Sequence, residues 1–187
     1  MTTLNILKRC GWLNKDPIYI TYHDEEWGKP EYNKIRLFEM ICLEGQQAGL
    51  SWITVLKKRD NYRNIFFNFD PYKIVKFTDN DVEEFMKTSG IIRHRGKIKA
   101  ISYIEMEENG EDFSNFLWSF VNYQPILNSW SRLEDMPTQT TSSIELAKAL
   151  KKKGFKFVGP TICYSFMQAC GLVNDHIKDC ICYQKWQ

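Results

Sequence analysis

Two cysteines and two histidines near opposite ends of the chain have the side chains of a metal site. Cys10 and His23 stand toward one end, His176 and Cys180 toward the other. The second pair is spaced i, i+4, which on a helix places both side chains on one face. Two thiolates and two imidazoles suit a tetrahedral zinc with no open position, one ion per chain, holding the termini together and doing no chemistry. The spacing is not that of a zinc finger, and packed cysteines with two surface histidines account for the same residues. Cys182 could replace Cys180 as a ligand, but it would leave the face shared with His176.

A second group is aromatic. Trp12, Tyr19, Tyr22, Trp27, Tyr32, Phe38 and Trp52 crowd the first 52 residues, and Glu44 lies among them. The stretch 35–48 reads as a helix with Leu37, Phe38, Ile41 and Cys42 on one face; Glu44 stands three positions beyond Ile41 and seven beyond Leu37, so it points inward. An internal salt bridge or a helix-cap bond would satisfy such a carboxylate. Aromatic walls around an acid would also bind a flat, cationic heterocycle: rings sandwich its faces while the acid accepts its N–H donors and offsets its charge. Gly49-Leu50, small then apolar and just ahead of Ser51, has the form of a tip that wedges into a base stack.

The elements that position these residues read as helical. Ser51 opens a helix that Asp70-Pro71 stops; Asp79 or Asn80 opens one through Met86; a further one runs from about Arg95 to Met106, closed by Asn109-Gly110; and 113–121 is a buried apolar helix. The segment 122–141, with Pro125 and Pro137, reads as a loop between lobes. Ser142 or Ser143 then caps a helix ending at Gly154, and Pro160 starts another that Gly171 ends. Alternating strand patterns are scarce, so the expected class is all-α.

Composition bounds the function. The 187 residues include 25 Lys+Arg and 23 Asp+Glu, a net charge of +2, with 43% hydrophobic and 26% charged residues, which excludes a disordered chain. Six cysteines are too few for a disulfide scaffold. No apolar run is long enough to span a bilayer, and 1–10 lacks the apolar stretch of a secretory signal, so a cytoplasmic protein with no membrane partner is expected. Basic residues cluster in RHRGKIK (93–99), with Arg93, Arg95, Lys97 and Lys99, and in KKKGFK (151–156), while acids collect at 79–84 and 105–112. Solvated helix ends produce such runs; so does a face that meets nucleic acid. The six-residue turn 154–159, with a glycine at each end between two helices, is an ordinary helical hairpin or a place where a phosphate approaches the backbone, with Gly159 leading into a helix N-terminus and Lys153 and Lys156 adding charge.

Six runs together make the sequence similar to a known family: RCGW (9–12), YITYHDEEWG (19–28), FEMICLEGQQAGLSWITVLKKR (38–59), GIIRHRGKI (90–98), FLWSFVN (116–122) and LKKKGFKFVGPTICYSFMQACGLVNDH (150–176). They resemble the bacterial, constitutive 3-methyladenine DNA glycosylase I family of the helix-hairpin-helix superfamily, over nearly the whole chain. The resemblance implies a single all-α glycosylase domain over 1–187, with one helical lobe from the termini (about 1–35 and 160–187), a central lobe containing 36–121, and the hairpin at 142–171. It implies structural zinc on Cys10, His23, His176 and Cys180. It also implies a base pocket of Glu44, Tyr22 and Trp52 with Trp12, Tyr19 and Trp27 nearby. DNA would be met by Gly49, Leu50, Lys153, Lys156, Gly159, Arg93 and Arg95. The turn departs from the superfamily's Leu-Pro-Gly-Val-Gly pattern in lacking its proline. Asp175 is the only acid near the superfamily's supporting aspartate and is given no catalytic role.

The implied activity is base-excision repair: hydrolysis of the N-glycosidic bond of 3-methyladenine in alkylated duplex DNA. Free 3-methyladenine and an abasic site would be the products, with no strand cut because no lysine stands out as a Schiff-base nucleophile. A cytoplasmic, nucleoid-associated monomer is expected. Two other classes fit parts of the pattern. A noncatalytic zinc-stapled DNA-binding protein leaves the inward Glu44 unexplained, and a zinc hydrolase would need an open metal position.

Overall fold

The computed structural model describes residues 8–102 and 112–186. Over these residues the chain is helical: α1 (Pro17–Glu25), α2 (Lys34–Gln47), α3 (Trp52–Leu56), α4 (Arg59–Ile65), α5 (Pro71–Ile74), α6 (Asp79–Lys87), α7 (Arg95–Ser102), α8 (Phe113–Ser119), α9 (Thr141–Lys152) and α10 (Pro160–Ala169). Short polar side chains set the starts. Asp16, Asn33, Asp70 and Asp112 each accept a backbone N–H from the first turn of the helix that follows. Thr78 with Asp81 and Thr140 with Ser143 form reciprocal capping boxes on α6 and α9. The helix expected to open at Asp79 or Asn80 does begin at Asp79, whereas the cap expected at Ser142 or Ser143 is displaced to Thr140. Ser143 is the inner partner of its box, and a lone polar residue in sequence does not distinguish that role from the cap itself.

Helix α2 is the axis of the core. Every residue from Leu37 to Gln46 is buried, and the helix packs against α3, α7, α8 and α10. The buried apolar residues of the terminal and central segments belong to one continuous cluster.

Three expectations change. The helix read from Ser51 to Asp70 is broken into α3, α4 and a 3-10 turn (Phe67–Phe69), with Phe67, Asn68 and Phe69 all at positive φ. Within α4, Arg59 reaches Glu26 at 2.6 and 2.7 Å and Tyr62 reaches Gln46 at 3.1 Å, which anchors this short helix to the end of α1 and to α2. The all-α class holds except for a two-residue parallel ladder, β1 (Ile126–Leu127) with β2 (Val173–Asn174), which ties the 122–141 loop to the segment after α10. His176 and Cys180 share no helix; both lie in irregular chain and turns after β2. The extension of α7 to Met106 and its close at Asn109-Gly110 lie outside the described residues.

The hairpin is α9, a turn and α10. Gly154 (φ +90°) ends α9 with its N–H on the Lys151 carbonyl and that of Phe155 on Leu150, a Schellman closure, and Pro160 stands in the first turn of α10. Gly171 (φ +67°) follows α10 where a Cβ would lie 2.3 Å from the Lys29 carbonyl carbon and 2.4 Å from Pro30 N. Backbone meets backbone there, so neither can yield cheaply. Gly171→Ala is expected to cost about 2–4 kcal/mol in urea unfolding. An unchanged midpoint would mean that this crossing is not close-packed in solution.

Candidate active site and metal cluster

A cavity of about 390 Å³ is lined by Trp12, Tyr19, Tyr22 and Trp27 of the N-terminal segment, Glu44 and Gln47 of α2, and Trp52 of α3. Leu133, Met136, Pro137 and Thr138 of the 122–141 loop close one side, and Thr161, Tyr164, Ser165 and Gln168 of α10 another. Its size is that of a small-molecule site. The rings pack in two groups: Trp12 with Tyr19 and Trp27, both at 5.0 Å between centroids, and Tyr22 with Trp52 at 5.5 Å. All six residues expected around a base line this one cavity. Tyr32 does not; it stacks on Trp118 at 4.5 Å.

Glu44 is 3% exposed, and its Oε2 has no hydrogen-bond partner among the described residues. The internal salt bridge that would account for a buried acid is made instead by Glu39, to Arg36 at 2.9 Å and Arg63 at 2.8 Å. Desolvation alone pushes the Glu44 carboxyl up to about 8. The same burial raises Tyr22 and Tyr19, with the Glu44 charge adding to it. The Trp12 and Trp52 indole N–H groups are likewise buried without partners. An acid and donors left unsatisfied in an aromatic cavity cost stability, and that combination marks functional sites.

Sequence reasoning missed the loop and α10 walls. In α10 the signal was present: Thr161, Tyr164, Ser165 and Gln168 are spaced i, i+3, i+4, i+7, a largely polar stripe opposite the apolar one. In the loop there was none. Asp175 is fully buried and accepts from Asn128, Trp130, Tyr164 and Gln168, each at 2.7 Å. Both of its oxygens are committed to tying the loop to α10.

Cys10, His23, His176 and Cys180 meet behind this cavity, all buried, with their donor atoms within 4.8 Å of one another. Cys180 Sγ is 3.4 Å from His23 Nε2 and from His176 Nδ1, and Cys10 Sγ is 3.6 Å from His176 Nδ1. A tetrahedral zinc with ordinary bond lengths has S···N edges of about 3.5 Å, so the donor set fits that metal. The rings are oriented for it. His23 Nδ1 pairs with Asp24 at 2.8 Å, itself held by Arg9, and His176 Nε2 lies 3.0 Å from the Trp27 carbonyl, leaving one nitrogen of each ring toward the thiols. Cys182 stays outside the four, donating its N–H to Cys180 Sγ at 3.4 Å. The histidines are core residues, not surface ones, and His23 directly follows Tyr22 on α1, so consecutive residues serve cluster and cavity.

The basic runs divide. Arg95 pairs with Glu83, and Lys99 with Asp79 at 2.7 Å. Lys97 is buried, leaving Arg93 as the exposed base of that run without an ion pair among the described residues. In the hairpin, Lys153 Nζ sits 4.7 Å from the Phe116 ring centroid. A Cβ on Gly159 would meet nothing within 4 Å, so the start of α10 is open. Leu50 is exposed, and Gly49 (φ +77°) has open space around it. No helix among the described residues is long and apolar enough to cross a membrane.

Helices surround an aromatic cavity with one unpaired acid, beside a helical hairpin that is open at the start of its second helix. The methyladenine glycosylase family matches residues 12–183, and the chain belongs to that family. It is 62% identical over 182 residues to DNA-3-methyladenine glycosylase 1 of Escherichia coli (strain K12), covering 95% of this chain and 97% of that protein. To DNA-3-methyladenine glycosylase of Haemophilus influenzae it is 58% identical over 179 residues, covering 93% and 97%. Among solved structures, a crystal structure of 3-methyladenine DNA glycosylase I superposes with a TM-score of 0.92 at 61% identity, over 94% of this chain and 99% of that one. A structure on 3-methyladenine recognition by the Staphylococcus aureus enzyme gives 0.89 at 40% identity, over 94% and 96%.

The raised Glu44 carboxyl fixes a pH dependence of folding. Between pH 4.5 and about 8 the unfolded chain has lost this proton while the folded chain keeps it, so the stability the group contributes at low pH is lost as pH rises. Glu44→Gln removes that loss. The variant is expected to match the wild type near pH 4.5 and to exceed it by about 2–4 kcal/mol at pH 8.5 in urea unfolding. Parallel pH curves would show that Glu44 ionises normally in the folded protein.

Proposed function

We propose that this protein excises 3-methyladenine from alkylated duplex DNA as a monofunctional base-excision-repair glycosylase. The observation that carries the reading is the unpartnered Glu44 carboxyl in an aromatic cavity. Membership of the methyladenine glycosylase family supports it independently.

Methylation at N3 puts a delocalised positive charge on the adenine ring while it is still joined to the sugar. In the proposed cycle the open N-terminus of α10, the hairpin lysines Lys153 and Lys156, and Arg93 and Arg95 meet backbone phosphates. Arg95 would exchange its exposed partner Glu83, a pair of little net worth in water. Gly49-Leu50 fills the gap, and the lesion turns into the cavity. Tyr22 and Trp52 stack on the ring, Trp12, Tyr19 and Trp27 complete the walls, and Glu44 accepts from the N6 amino edge.

A cationic ring beside Glu44 favours its ionised form, so the substrate creates the charge pair that recognises it; neutral adenine offers no such compensation. The C1′–N9 bond then breaks, its electron pair passing to the base and cancelling the ring charge. Water adds to C1′ and gives its proton to solvent, leaving an abasic sugar and neutral 3-methyladenine. Among the described residues no lysine lines the cavity, which favours water over a Schiff base. Zinc on Cys10, His23, His176 and Cys180 would be structural, closed by four protein ligands, and would hold the terminal segments and the wall carrying Trp12 and Trp27. One domain with a terminal and a central lobe, acting as a cytoplasmic monomer, completes the reading.

Incubation with methylated duplex DNA and chromatography of the released bases tests the assignment. Wild type is expected to release 3-methyladenine, and Glu44→Gln to lose roughly 10- to 100-fold in kcat/KM. No release from folded protein would leave a noncatalytic DNA-binding protein, and borohydride trapping with strand cleavage would refute the monofunctional reaction. Elemental analysis is expected to give about one zinc per chain, falling well below that in Cys180→Ser.

A further inference from the structure

Lys97 belongs by sequence to a basic run, yet its ammonium turns inward. The residue is 6% exposed, and Nζ donates to the carbonyls of Gln46 at 2.9 Å and Ala48 at 2.6 Å. These lie at the C-terminal end of α2, where carbonyls have no partner within the helix and a cation is favoured. The Gln46 side chain answers from the other side. Its Nε2 donates to the Lys97 carbonyl at 2.9 Å, while its Oε1 accepts from the Tyr62 hydroxyl, which in turn accepts the Ile92 N–H.

Directly beyond this clamp the chain leaves the protein body. Gly49 turns at φ +77°, a Cβ there would meet nothing within 4 Å, and Leu50 is 42% exposed. Lys97 does not line the cavity. A methionine would fill its volume without the cost of desolvating a charge, so what the ammonium adds is its hold on the two carbonyls.

We propose that Lys97 is a positioning residue for DNA opening. By clamping the Gln46 and Ala48 carbonyls it sets the direction in which the Gly49-Leu50 tip leaves α2, and hence, on the base-excision reading above, how well Leu50 replaces a displaced nucleotide. Base binding in the cavity and tip insertion into the stack are then separable, and Lys97 serves the second.

The test is a double-mutant cycle of Lys97→Met with Leu50→Ala. It has three readouts: kcat/KM for 3-methyladenine in duplex DNA, the same for the lesion in single-stranded DNA, and affinity for free 3-methyladenine by tryptophan fluorescence. Lys97→Met is expected to lose about tenfold or more on duplex DNA. Single-strand excision and free-base affinity should barely move, and the substitution should add little to Leu50→Ala. Lys97→Gln, which keeps one donor, is expected to show an intermediate loss and carries the cycle where the methionine variant does not fold. Equal losses on duplex and single strand, a parallel fall in free-base affinity, or additivity with Leu50→Ala overturns the proposal. Wild-type protein that releases no 3-methyladenine from either substrate overturns the excision reading itself, and this proposal with it.

Discussion

An acid without a partner stays buried only while the helix that carries it has nowhere to move. Glu44 meets that condition because α2 is buried along its length from Leu37 to Gln46 and is packed by α3, α7, α8 and α10. At one end of this run Glu39 is neutralised by Arg36 and Arg63; at the other, Lys97 and Gln46 tie the helix end to its neighbours. Between the two anchors the Glu44 carboxyl has no partner among the described residues, and the cost of that arrangement is borne by the packing around it. A fixed, buried acid has its pKa set by its surroundings, here upward through desolvation.

The walls of the cavity are held by polar hubs placed outside it. Asp175 gathers Asn128, Trp130, Tyr164 and Gln168, which ties the 122–141 loop to α10. The next residue, His176, joins the Cys/His cluster and also holds the Trp27 carbonyl. Tyr22 and His23 repeat that arrangement on α1. The aromatic surface is therefore backed by groups whose own geometry is over-determined, and metal bound at the cluster would add to that rigidity.

How much of this was legible depended on whether the signal was local. Residue type identified Glu44, the tryptophans and tyrosines of the cavity, and the four Cys/His donors, because each is chemically conspicuous and the period of α2 turned Glu44 inward. The hairpin followed from its glycines and proline. The basic run at 93–99 divides in a way its sequence does not show, since a basic residue type does not reveal whether it pairs with an acid, as Arg95 and Lys99 do, or with the end of a helix, as Lys97 does. Likewise the i, i+4 spacing of His176 and Cys180 suggested a helix where the chain makes turns; the ligands converge through tertiary packing.

Local sequence thus determined the helices, their caps and the inventory of reactive side chains, all set by neighbours within one or two turns. Tertiary structure decided that Arg63 would join Arg36 on Glu39 while no basic side chain reaches Glu44 among the described residues, that Asp175 would be consumed by four donors, and that the loop at Leu133 to Thr138 would close the cavity. Each of those outcomes depends on which partner arrives from a distant part of the chain, and the energy of a buried charge is set by that partner rather than by its own place in the sequence.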